Sequence, residues 1–78
     1  MHAIIYENPS LGPCVISVRN LKESGITFTE IVVDENNKDR KLFKLPLIEF
    51  YKGNELIDRH YGVIDVATVR HIVNVYGK

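Results

Sequence analysis

A second cysteine is missing from this sequence of 78 residues, which holds only Cys14. A lone thiol cannot close an intrachain disulfide, and the expected setting is therefore a reducing, cytoplasmic one. Net charge is missing as well, because ten Lys and Arg balance ten Asp and Glu. No broad field of one sign is left to draw nucleic acid or an anionic membrane. The small basic run Lys38-Asp39-Arg40-Lys41, with Lys44, reads as a solvated loop face. No apolar run approaches the roughly 18 residues of a membrane span. The opening "MHAIIYEN" also lacks the basic and long apolar regions of a secretory signal. The expectation is a soluble chain that binds neither nucleic acid nor membrane. His2, His60 and His71 have no cysteine partners and none of the close spacing of a zinc motif, so no metal site is assigned. Gly-rich phosphate loops, a Ser-His-Asp set, repeats, low-complexity tracts and linkers are all absent, and residues 1–78 read as a single domain.

What is present is a globular composition, 45% hydrophobic and 26% charged. At this length a core lies near the lower size that folds without disulfides or metals. His2 to Tyr6 is short and apolar, as a buried strand would be, and Asn8-Pro9-Ser10 breaks it. Pro13 suits the first turn of a helix, where a missing N–H costs nothing, and either Ser10 or Gly12 stands where a cap belongs. Cys14, Val15, Val18 and Leu21 share a face of that helix, and Gly25 is placed to end it.

The β-branched run "ITFTEIVV", Ile26 to Val33, predicts a second strand. The charged segment "DENNKDRKLFK" has room for one or two helical turns, with Asp34 or Asn36 as caps. Leu47 to Tyr51 and Glu55 to Tyr61 predict a hairpin joined through Lys52-Gly53-Asn54. Asp65 then caps a last helix on which Val66, Val69, Ile72, Val73 and Tyr76 share a face. The order is β-α-β-α-β-β-α, an α/β fold whose first two strands are parallel across a helix and whose hairpin adds an antiparallel pair.

Two long segments resemble one superfamily. "YENPSLGPCVISVRNLKESGITFTEIVVDEN" is similar to the opening of a glutaredoxin: a strand ending in Tyr, a Pro-containing loop, a four-residue motif, an amphipathic helix, a Gly and a strand. "LPLIEFYKGNELIDRHYGVIDVATVRHIV" is similar to the second half of thioredoxin. The resemblance implies a thioredoxin fold of the minimal, glutaredoxin-like form with a four-stranded mixed sheet. It also implies that Leu11-Gly12-Pro13-Cys14 stands in place of the Cys-x-x-Cys motif, and that Leu45-Pro46 is the cis peptide that faces it.

In such redoxins the first motif cysteine sits at a helix N-terminus, where backbone N–H groups lower its pKa and the thiolate attacks a disulfide. Leu11 holds that position here and has no sulfur with which to form the mixed disulfide. Dithiol exchange by a monomer is therefore excluded on chemical grounds.

Cys14 corresponds to the second, resolving cysteine. Two readings remain for it: a residual redox thiol that takes glutathione or a partner's sulfur, or a small apolar residue packed against the sheet. Leu11 either turns inward or joins Pro13, Leu45 and Pro46 in an exposed apolar patch around Gly12, the kind of surface that marks a protein partner. Relatives supply a basic residue for the glutathione carboxylate from the segment before the proline. That segment is too short here to transfer the role to Lys38, Arg40 or Lys41, so no cofactor is assigned and glutathione enters only with the redox reading. The leading expectation is a non-catalytic protein-binding module that uses Leu11 to Cys14, Leu45 and Pro46.

Overall fold

The structure is a computed structural model that describes residues 1–33 and 45–77. The expected short helix between the second and third strands lies outside the described residues. Strand β1 (His2–Glu7) runs one residue beyond the expected Tyr6 and alternates between half-buried and buried side chains. Ala3, Ile5 and Glu7 all point to one face, as the two-residue period of a strand requires. Helix α1 (Gly12–Ser24) follows and ends at Gly25, whose φ of 80° is the left-handed conformation that lets its N–H return to the Lys22 carbonyl. Strand β2 (Thr27–Val32) pairs parallel with β1, from His2 beside Thr27 to Glu7 beside Val32.

Strands β3 (Leu47–Lys52) and β4 (Glu55–Tyr61) form the expected hairpin. The turn has two residues, with Gly53 at φ 63° and no positive φ at Asn54, the glycine-first geometry that matches strand twist. Phe50 pairs with Asp58 and Tyr51 with Leu56, leaving Ile57 as the extra residue of a bulge. The bulge lets Ile57 pack against the core while Arg59 stays opposite Glu49 on the other face. Strand β3 also pairs antiparallel with β1, giving a four-stranded mixed sheet in the order β2-β1-β3-β4. Helix α2 (Val66–Tyr76) begins where the Asp65 carboxylate accepts the Thr68 N–H at 2.7 Å.

Both described helices lie on one face of the sheet. Ala3, Ile5, Ile48 and Phe50 meet Leu21 of α1 and Val69 and Ile72 of α2, with Ile64 closing the end of the cluster. Each fully buried Ile, Leu, Val or Phe among these stabilises the fold by about 1.5–3 kcal/mol relative to exposure. On the opposite face Val33 and Leu47 pack with Tyr6 and Leu45.

Two expectations about helix faces need correction. Val15 is exposed, and the position that turns inward beside Cys14 and Leu21 is Ser17. Its hydroxyl accepts the buried Ile64 N–H at 3.1 Å, while Asn20 donates to the Ile64 carbonyl at 2.9 Å. A polar residue wins the buried place because the chain entering α2 has a peptide group to satisfy there. Tyr76, the last residue of α2, is likewise exposed.

Candidate functional site

The loop from Asn8 to Leu11 is built by asparagine chemistry. The Asn8 side-chain carbonyl accepts both the N–H and the hydroxyl of Ser10, at 3.0 and 2.6 Å, and the Asn8 backbone carbonyl accepts the Leu11 N–H at 3.0 Å. Ser10 is thereby committed to the turn, so neither Ser10 nor Gly12 caps the helix. The cap is Leu11, extended at φ −98° and ψ 124°, with no side-chain hydrogen bond. Its carbonyl accepts the N–H groups of Cys14 and Val15 at 3.1 and 3.3 Å. Gly12 and Pro13 are the first two helical residues, and both are exposed.

Leu11 and Cys14, at the two ends of the motif, differ sharply in exposure. Leu11 is 43% exposed and does not fill the interior, whereas Cys14 is fully buried as a free thiol. The Cys14 sulfur accepts the Asn8 backbone N–H at 3.5 Å, which ties the start of the loop to the first turn of α1. Burial pushes the thiol above its ordinary pKa, the Asn8 N–H opposes that push, and the Glu7 carboxylate adds to it. Desolvation thus outweighs the anion-favouring end of the helix, and Cys14 is held as a neutral thiol.

The Leu45–Pro46 peptide bond is cis. Pro46 is fully buried and its carbonyl accepts the Gly62 N–H at 2.8 Å, so the expected contribution of Pro46 to an exposed patch is corrected. The reason lies in its place: it leads directly into β3, an inner strand whose residues Leu47 to Phe50 are all buried. Leu45 is half-buried in the small cluster with Tyr6, Val33 and Leu47. The apolar surface that does form runs instead along the first turns of α1, where Leu11 and Pro13 continue into Val15 (54% exposed) and Ile16 (40% exposed). Leu11 and Val15 are four residues apart and share a helix face.

Two acidic residues that the sequence reading passed over sit in buried places. Glu49 interrupts the apolar run "LIEFY" of β3, and its carboxylate accepts the Tyr51 hydroxyl at 3.2 Å and the Arg59 Nε at 3.1 Å from the facing strand. Burial, and after it the Glu49 carboxylate, holds the Tyr6 phenol above its ordinary value. A charged residue inside an apolar strand was the available signal. Glu7 is the other: it is 5% exposed, on the helix-facing row of β1, and period-two alternation from Ala3 and Ile5 was the clue. Among the described residues no group of three His, Cys, Asp or Glu side chains could hold a metal ion, and no helix is long and apolar enough to cross a membrane. No protein-family model matches the chain, and no curated protein matches it.

Proposed function

We propose that this chain is a thioredoxin-fold protein of glutaredoxin type that has lost its nucleophile and serves as a non-catalytic protein-binding module. The observation that carries the reading is the exchange of roles at the motif: an exposed leucine caps α1 where a redoxin needs its attacking sulfur, and the remaining sulfur is buried. The cis bond before Pro46, the β1-α1-β2 parallel unit and the β3-β4 hairpin with its closing helix support the fold assignment. The partner surface is then the apolar start of α1, from Leu11 through Val15 and Ile16, and the setting is the reducing cytoplasm. The competing reading, a redox role for Cys14 through glutathione or a partner's thiol, needs an accessible thiolate. Burial of the sulfur and its raised pKa weigh against it.

The decisive experiment combines alkylation with partner capture. Iodoacetamide should label native Cys14 slowly at neutral pH, with labelling released by unfolding. A partner captured by the immobilised chain should survive Cys14→Ala and be lost with Leu11→Asp. Fast labelling, or loss of capture with Cys14→Ala alone, would overturn the binding-module reading. Leu11→Cys tests the motif assignment separately, because a thiol at that position should oxidise to a disulfide with Cys14 if the inherited geometry is intact.

A further inference from the structure

Between the outer face of α1 and the end of β1 lies a groove of about 290 Å³, lined by Glu7, Pro9, Val15, Val18, Arg19 and Lys22. Its polarity is unusual in what it leaves unpaired. Glu7 is 5% exposed as a residue and lines the groove, and its carboxylate accepts no hydrogen bond and forms no ion pair among the described residues. Arg19 and Lys22, one helical turn apart on the α1 wall, also make no side-chain hydrogen bond or ion pair there. No described side-chain oxygen is both cut off from solvent and without a partner, so the otherwise buried Glu7 keeps a solvent-reaching carboxylate edge, and a ligand cation there would replace that hydration with an ion pair. Pro9, Val15 and Val18 supply an apolar lining around these groups.

We propose that this groove is a binding site for a small zwitterion of about amino-acid size with an aliphatic body. An ammonium group of the ligand donates to the Glu7 carboxylate, its carboxylate meets Arg19 and Lys22, and its hydrocarbon part lies against Pro9, Val15 and Val18. Volume sets the class: the groove is at the lower end of the range typical of small-molecule sites, which admits one residue-sized molecule rather than a nucleotide. Charge sets the orientation, since the acid belongs to the strand floor and both bases to the helix wall. The site shares only Val15 with the surface of the binding-module reading and needs neither Cys14 nor an exposed Leu11, so Glu7, Arg19 and Lys22 test it separately.

The test titrates the isotopically labelled chain with L-leucine and with ε-aminocaproate and follows backbone amide shifts. Controls are their truncated analogues, isocaproate and caproate without the ammonium, isoamylamine and hexylamine without the carboxylate. The expected result is a saturable shift confined to the amides around Glu7, Val15, Val18, Arg19 and Lys22 with at least one zwitterion. Removing either charged end should weaken binding by about tenfold or more, the effect of losing a charge-assisted hydrogen bond. Glu7→Gln, which keeps the shape, and Arg19→Gln with Lys22→Gln, both at exposed positions, should each weaken the zwitterion similarly. Absence of a saturable shift with both zwitterions would overturn the proposal. So would equal binding of the truncated analogues, or retained affinity in the Arg19→Gln, Lys22→Gln variant.

Discussion

Replacing Ser17 by Ala probes the contact that joins α1 to the chain entering α2. The hydroxyl is fully buried and accepts the N–H of Ile64, itself fully buried. Alanine keeps the helix and removes a single oxygen, so helix propensity improves slightly while the Ile64 N–H loses its partner. Leaving a buried donor unsatisfied costs about 1–3 kcal/mol. A domain of this length has a total stability of roughly 4–12 kcal/mol, so the loss is a large fraction of the whole. Each kcal/mol should lower Tm by about 4–8 °C.

Asn20 holds the carbonyl of the same residue from one turn further along, at 2.9 Å and only partly buried. Asn20→Ala should therefore cost less, about 0.5–1.5 kcal/mol. Because both bonds fix one residue, the double variant should depart from additivity by about 0.5 kcal/mol or more. Urea unfolding of the four proteins measures this directly, read as a change in midpoint at constant m. A Ser17→Ala loss below about 0.5 kcal/mol would refute the account, since it would mean that water or a shift of the loop satisfies Ile64.

Two further predictions concern carboxyl groups with opposite signs. Burial, and then the neighbouring Glu30, raises the Glu7 pKa above its ordinary 4.5, so the folded state holds this proton more tightly than the unfolded chain. The stability linked to Glu7 is therefore full below 4.5 and is lost as pH rises through the folded-state value, with Cys14, Arg19 and Lys22 the other ionisable neighbours on α1. Glu7→Gln should flatten that limb of a Tm-against-pH curve, and an unchanged slope would count against a buried acid. Asp65 behaves in the other direction, its pKa lowered from 3.8 chiefly by hydrogen bonding to Thr68. Its contribution is present above 3.8 and disappears as pH falls through the lower folded-state value. Asp65→Ala should lower Tm at neutral pH and lose that acid dependence, whereas an unaltered acid limb would show that the cap does not matter.

The local rules of the chain were legible from its residues. Alternating apolar residues, a glycine able to take a positive φ at Gly25 and at Gly53, and an aspartate before "VATVRHIV" located the described strands, the hairpin and both helix boundaries to within a residue or two. That residue 11 carries no sulfur was equally plain, because it is a matter of covalent structure alone.

What sequence could not decide was which way each side chain faces once the helices settle on the sheet. A helical face drawn from hydrophobicity alone placed Val15 inside, yet packing turned it to solvent and brought in Ser17, whose hydroxyl answers a peptide group 47 residues away. The burial of Pro46, the pairing of Glu49 with Arg59 and the burial of Glu7 arise in the same way. Each depends on which elements become neighbours across the sheet, a property of the assembled order β2-β1-β3-β4 and of no local stretch of chain. Identity fixed whether sulfur chemistry is available at each position, and tertiary packing fixed how far the single thiol is from water.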